Sequence, residues 1–276
     1  MIKTIKGSNI LDKIVARKKE EIAIAKRQIS AVQLSESEFF SRECYSLRKF
    51  MLHPQRNGII AEYKRASPSK GMINNHSSVK EVTQSYAAAG ASALSVLTES
   101  NFFGGSYIDL IEARQANQVP ILRKDFMVDE YQILEAKAWG ADIILLIAAI
   151  LHPPEVKQFA ALAKKMGMSV LLEVHNQREL ERNLCDELDA VGVNNRNLAD
   201  FSVSLEHSYN LVSQIPDQFL KISESGINNP QTILELKDAG FDGFLIGENF
   251  MKEENPGKAM EEFGRILKRD LEGDLL

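Results

Sequence analysis

Two cysteines are all that the 276 residues contain. Cys44 and Cys185 stand far apart, so neither a disulfide framework nor a cysteine-ligated zinc site is available. Long apolar runs are missing too. The longest, Ile143–Leu151, is far too short to cross a bilayer. The charged stretch Met1–Lys19 has no apolar centre of the kind a secretory leader needs. The sequon Asn75-His76-Ser77 is therefore read as chance, and the chain is expected in the cytoplasm with no membrane partner. Positive charge is not in excess: the formal net charge is −5, with both signs mixed along the chain, which argues against a nucleic-acid partner but not against a local basic pocket. His53, His76, His152, His175 and His207 never fall at His-x-x-x-His spacing. A dinucleotide Gly-x-Gly-x-x-Gly, a Walker frame and a Gly-x-Ser-x-Gly elbow are absent as well. No metal or organic cofactor is expected.

What remains is a chain with 44% hydrophobic residues, enough for a sizeable core in one domain spanning 1–276. The first fifty residues read as a helical extension (1–50). Leu11, Ile14, Val15 and Ile22 form an apolar stripe, with a cap expected at Ser8 or Asn9. From Gly58 the pattern becomes short apolar run, polar loop, amphipathic helix, repeated through 58–270. Strands are expected at Ile59–Glu62, Ala93–Leu97, Pro120–Arg123, Asp142–Ile147, Ser169–Val174, Ala190–Val193, Leu220–Ser223 and Gly243–Ile246. Helices are expected at Val79–Ala89, Tyr107–Asn117, Glu130–Trp139, Pro154–Met166, Gln177–Cys185, Pro230–Ala239 and Lys258–Arg269.

Strands apolar on both sides need cover on both faces, as in parallel sheets. The alternation fits a barrel or an open doubly wound sheet. The missing dinucleotide fingerprint favours the α/β class in its (β/α)8 TIM-barrel form. So does the recurring punctuation Ala-Ala-Gly-Ala (88–91), Ala-Trp-Gly-Ala (138–141) and Asp-Ala-Gly-Phe (238–241), which places a glycine past each helix end.

In such barrels the chemistry sits where the strands end. Here they end in Glu62-Tyr63-Lys64, Lys124-Asp125, Glu173, Asn194-Asn195-Arg196, Glu224-Ser225-Gly226 and Gly247-Glu248. Each alone is an ordinary solvated charge, but six strands of eight ending this way point to one shared rim. Ser225-Gly226 and Gly247-Glu248 suit backbone capture of a phosphate, or simply allow tight turns. Ser67 in Ser67-Pro68-Ser69-Lys70-Gly71 faces them with a hydroxyl. Two lysines and two glutamates on the rim suit acid–base work, with a lysine pKa lowered towards neutrality, or else make ion pairs that close the mouth.

Those same residues carry a resemblance. Glu62-Tyr63-Lys64-Arg65-Ala66-Ser67-Pro68-Ser69-Lys70-Gly71 resembles the signature of the indole-3-glycerol-phosphate synthase family. So do Val96-Leu97-Thr98-Glu99, Arg123-Lys124-Asp125-Phe126, Leu171-Leu172-Glu173-Val174-His175, Gly192-Val193-Asn194-Asn195-Arg196, Ser223-Glu224-Ser225-Gly226-Ile227 and Phe244-Leu245-Ile246-Gly247-Glu248. The resemblance implies a cofactor-free ring closure, decarboxylation and dehydration of 1-(2-carboxyphenylamino)-1-deoxyribulose 5-phosphate, a step of tryptophan synthesis. It implies Lys124 as general acid, Glu173 as base or stabiliser of charge on the amine nitrogen, and Lys64 as holder of the substrate carboxylate. Glu62 and Asn194 would orient these groups, with Arg196 and Ser225 in support. Ser67, Gly226, Gly247 and the Glu248 backbone would hold the phosphate, and Phe103, Phe126 and Leu145 would wall the aromatic ring. The extension would fold over the mouth. Asn197 departs from the pattern, standing where the family often has aspartate. A Schiff-base aldolase and a silent phosphosugar-binding barrel are the competing readings; borohydride trapping would mark the first, and binding without turnover the second. The partner is then a small phosphorylated molecule, and the chain a monomer or weak homodimer.

Overall fold

Eight parallel strands close on themselves in a computed structural model that describes residues 10–197 and 200–273. They are β1 (Ile59–Tyr63), β2 (Ala93–Leu97), β3 (Ile121–Lys124), β4 (Ile143–Ile147), β5 (Ser169–Val174), β6 (Ala190–Asn194), β7 (Leu220–Glu224) and β8 (Gly243–Ile246). Neighbours in sequence are neighbours in the sheet, and β1 pairs with β8 through Ile59↔Phe244 to close the ring. The (β/α)8 expectation holds, and each strand lies within one residue of where the apolar runs placed it.

Because successive side chains on a strand alternate, the sequence splits into an inside and an outside. Ile59, Ala61 and Tyr63 of β1 pack outward against the helices, as do Leu94, Val96, Ile144, Leu172 and Val191. Ile60, Ala93, Leu122, Ile143, Leu145, Leu171, Leu220, Ile222 and Leu245 fill the interior. Burying one such leucine or isoleucine completely contributes about 1.5–3 kcal/mol. The same inward phase, carried to the last or next-to-last residue of these five strands, is what delivers Glu62, Lys124, Glu173, Asn194 and Glu224 to the upper end of the barrel.

The helices between strands are α4 (Val79–Ala88), α5 (Tyr107–Ala116), α6 (Glu130–Ala138), α7 (Pro153–Lys165), α8 (Gln177–Asn183), α9 (Glu206–Leu211) and α10 (Pro230–Asp238), followed by α11 (Glu248–Met251) and α12 (Pro256–Gly273); α1, α2 and α3 precede them at Ile10–Gln28, Ala31–Ser35 and Leu47–Met51. The three repeated punctuations are Schellman caps. Gly90, Gly140 and Gly240 have φ of 90°, 89° and 108°, and the following amide reaches back to the helix, as Ala91 N–H does to Tyr86 C=O at 3.1 Å. Sequence reading did not single out α9, whose six residues carry too few apolar positions for a stripe.

The extension is helical as expected, but it covers both ends of the barrel. In α1 the buried face runs Ile14, Lys18, Ile22, at i, i+4, i+8. A lysine in the middle of an apolar stripe needs a partner, and Lys18 Nζ finds Asp125 Oδ1 at 3.1 Å, pinning the helix over the upper end beside β3. At the other end Leu47 and Met51 of α3 join the interior cluster, with Met51 packed close to Gly243 at the start of β8. The cap expected at Ser8 or Asn9 lies outside the described residues.

Candidate active site

At the upper end of the barrel is a cavity of about 510 Å³. All fourteen site residues expected from the sequence border it: Glu62, Lys64, Ser67, Phe103, Lys124, Phe126, Leu145, Glu173, Asn194, Arg196, Ser225, Gly226, Gly247 and Glu248. Ile10, Leu11 and Ile14 of α1 form part of its wall, so the extension does reach over the mouth.

The floor is a chain of charges. Lys124 Nζ donates to Glu173 Oε2 at 2.8 Å and to Glu224 Oε2 at 3.1 Å. The other oxygen of Glu173 accepts from Asn194 Nδ2 at 3.1 Å, and Asn194 Oδ1 is fixed by the Arg196 amide at 3.0 Å. Lys64 Nζ lies 3.1 Å from Glu62 Oε1, and Glu62 Oε2 accepts from Ser95 Oγ at 3.2 Å. Glu224 is a site residue that sequence reasoning misses, because Ser225 and Gly226 beyond it form the more conspicuous motif. The inward phase Leu220, Ile222, Glu224 was the signal that could have found it.

Two glycines make room for these carboxylates. A Cβ on Gly192 of β6 would collide with Glu224 Oε1, and one on Gly247 would come within 2.6 Å of Glu62 Oε1. Gly192 lies within β6 and Gly247 just past β8, and their absent side chains are the space the acids occupy.

The charges set one another's proton affinities. Burial alone would strip the proton from Lys124, but Glu173, Glu224 and Glu62 outweigh it and hold the ammonium above its ordinary pKa. The lowering expected from sequence is therefore reversed, because three buried carboxylates rather than other cations surround the lysine. Burial favours the neutral form of Glu173, yet Lys124 and then His175 pull it well below the usual carboxylate range. Glu224 goes the other way. Buried, and only partly compensated by Lys124, it is pushed up to about 7, with Glu173 and Glu62 adding to the rise. Two carboxylates with divergent proton affinities on one ammonium form an acid–base set.

Around the mouth, Ser225 (φ 68°) and Gly226 (φ 78°) follow β7 in left-handed conformation, and the Ser225 carbonyl accepts from Asn195 Nδ2 at 3.1 Å. Gly247 caps the short α11 after β8. Glu248 reaches across to Arg196 at 3.4 Å and to Lys70 at 3.5 Å. Ser67 lies in a small hairpin (66–67 with 71–72), its Oγ 3.4 Å from Ser69 Oγ. Phe103 and Phe126 meet with ring centroids 6.0 Å apart on one wall, where Leu145 also borders the cavity.

Acid–base chemistry on a small ligand at the C-terminal rim of a TIM barrel is the class of protein to which fold and site together point. The sequence model described as indole-3-glycerol phosphate synthase matches residues 11–263, and the chain belongs to that family. It is 45% identical over 260 residues to the indole-3-glycerol phosphate synthase of Bacteroides thetaiotaomicron, covering 94% of this chain and 99% of that one. Its identity to the indole-3-glycerol phosphate synthase of a Polaromonas species is also 45%, over 258 residues, covering 92% and 98%. Among solved structures, a thiamine phosphate pyrophosphorylase from Pyrococcus furiosus superposes with a TM-score of 0.57 at 18% identity, covering 81% of this chain and 98% of that one, a likeness of fold alone.

Proposed function

We propose that Lys124, Glu173 and Lys64 carry the reaction in this member of the indole-3-glycerol phosphate synthase family. That reaction turns 1-(2-carboxyphenylamino)-1-deoxyribulose 5-phosphate into indole-3-glycerol phosphate, CO2 and water. The observation that carries the assignment is Lys124 Nζ held at the cavity floor between Glu173 and Glu224.

Lys124 stays protonated in this setting, so it acts as a donor rather than an imine-forming nucleophile, which speaks against an aldolase. It polarises the substrate carbonyl, and its proton goes to the oxygen as the ring carbon bearing the carboxylate attacks. The new C–C bond leaves positive charge on the amine nitrogen, which the anionic Glu173 stabilises. CO2 departs and its electron pair neutralises that charge. The hydroxyl then leaves as water, with Lys64, until then the partner of the substrate carboxylate, sharing in its protonation. Glu173 takes the proton released as the double bond forms. Glu62 and Asn194 orient Lys64 and Glu173, Arg196 and Ser225 support them, and Glu224 keeps Lys124 charged and in place. Ser67 and the backbone amides of Gly226, Gly247 and Glu248 take the phosphate, and Phe103, Phe126 and Leu145 flank the ring.

The chain is read as one domain over 1–276 that works without a cofactor in the cytoplasm, as a monomer or weak homodimer, with neither nucleic acid nor membrane as partner. Among the described residues no helix is long and apolar enough to cross a membrane. The test is indole fluorescence appearing from the substrate without added metal or cofactor, for wild type and Lys124→Ala. Turnover that collapses in the variant supports the assignment; full turnover in the variant moves the acid role to Lys64, and none in folded wild type removes the activity.

A further inference from the structure

His175 has no place in the proton scheme above, yet its ring lies against the scheme's base. It is the first residue past β5, and most of its side chain is covered. Its backbone amide donates to Glu179 Oε2 at 2.8 Å, and ring Nδ1 lies 3.2 Å from the same oxygen. Glu179, in the first turn of α8, is steadied in turn by Asn176 Nδ2 on its other oxygen at 2.8 Å. The far side of the ring points into the catalytic floor. Nε2 is buried, makes no hydrogen bond among the described residues, and sits 3.5 Å from Glu173 Oε1.

This placement constrains the ring's protonation. Nδ1 faces a carboxylate and so carries a hydrogen. A neutral ring would then turn the lone pair of Nε2 towards the anionic Glu173 in a buried setting, which is repulsive. A second proton removes the conflict and turns it into attraction. We propose that His175 is a positioning residue: as an imidazolium between Glu179 and Glu173, it keeps Glu173 ionised and aimed as the proton acceptor of the reaction. The proposal rests on the assignment of Glu173 made above.

The charges around the ring agree. Glu179 faces it from α8 and Glu173 from β5, the charge of Glu224 on β7 is felt from further off, and Lys124 of β3 holds the opposite oxygen of Glu173. Burial works against the ring's charge, but the hydrogen bond to Glu179 and the charges of Glu173, Glu179 and Glu224 outweigh it, leaving the pKa above its ordinary value. The ring therefore keeps its charge to a higher pH than a free imidazole and loses its proton only as the pH rises through that raised value. Over the acidic range it holds the proton affinity of Glu173 down, in parallel with Lys124.

Removing that charge lets Glu173 take up a proton at a higher pH. The experiment is kcat and KM between about pH 2.5 and 9, with circular dichroism checking the fold at each pH, for wild type, His175→Gln and Glu173→Gln. In His175→Gln the acid limb of kcat moves up by about one pH unit, KM changes less than about twofold, and the loss shrinks towards the alkaline end. A structural role alone would lower activity equally at every pH and leave the limb in place. An unmoved limb in folded His175→Gln, beside an inactive Glu173→Gln, overturns this proposal alone. Wild-type turnover in Glu173→Gln removes the assignment of Glu173 and the proposal with it. If His175→Gln does not fold, carbon-13 histidine NMR of the wild type serves instead. The imidazole signal that responds to Glu179→Gln titrates above 6.5 and falls in Glu173→Gln; a signal indifferent to Glu173 overturns the coupling.

Discussion

Replacing Lys124 with methionine removes an ammonium while leaving most of the aliphatic stem in place, so the change isolates charge. In the wild type Nζ lies 2.8 Å from Glu173 and 3.1 Å from Glu224, and both acids are buried. Taking one partner out of a buried pair costs about 3–5 kcal/mol, because the charge left behind is stranded away from water. The stranded groups here are carboxylates, which escape the penalty by taking up protons. Their folded-state pKa values then rise, that of Glu224 further above the unfolded value of about 4.3 and that of Glu173 from below it, so their neutral forms are tolerated at low pH and their ionisation costs stability as the pH climbs. The deficit of Lys124→Met against wild type is therefore about 3–5 kcal/mol at pH 8 and less than about half of that at pH 5. Wild-type Glu224, already pushed up to about 7, behaves in this direction on its own, with a contribution lost as the pH rises through that value. Glu173, held low, runs the opposite way and stabilises until the pH falls far into the acid range. Urea unfolding at pH 5 and pH 8, followed by the fluorescence of Trp139, measures the difference. A deficit equal at the two pH values, or larger at pH 5, would refute the electrostatic account.

Lys18→Met leaves Asp125 with Arg123 and Thr98 as partners, so urea unfolding should show a loss of about 1–3 kcal/mol rather than that of a wholly stranded charge. KM should rise in the same variant, since α1 carries Ile10, Leu11 and Ile14 into the cavity wall; an unchanged KM would separate the helix from substrate binding. Gly192→Ala puts a methyl group where Glu224 Oε1 lies, so steady-state kinetics should show kcat down by more than about tenfold as that acid is pushed off Lys124. Full activity would mean that Glu224 does not need to stand where it does.

The strands were legible because each is an apolar run bounded by turn residues, and their misplaced edges are instructive. The apolar run of β3 ends before Lys124, yet the strand includes it, because a polar side chain at the top of a barrel points into the cavity rather than breaking the sheet. Residue identity and the family likeness together located fourteen of the residues that border the cavity. What they could not supply was mutual arrangement. The sign of the Lys124 shift depends on how many carboxylates converge from separate strands, a count that needs the register of β1, β5 and β7 around β3. Glu224 is legible as a strand end, but the glycine turn beside it is the stronger motif. Metal spacing is the mark a histidine leaves most plainly in a sequence, and the ring of His175, bridging Glu173 to a residue four positions further on, leaves none.

The closing ladder between β1 and β8 also fixes when the site comes into existence. Ile59 pairs with Phe244, and at ribosomal speeds the ~185 residues between them take roughly 10 to 40 s to synthesise. Until β8 emerges, the nascent sheet has two open edges, and Glu62 on β1 has no fixed station beside the strands that bring Lys124, Glu173 and Glu224. A partial chain therefore carries three acids and two lysines in a half-built trough open to water, with its edge strands available for wrong pairing. The last strand both seals the sheet and, through Gly247 against Glu62, sets the first strand's acid in its seat. Catalytic competence should accordingly appear late and all at once during synthesis, rather than growing with chain length.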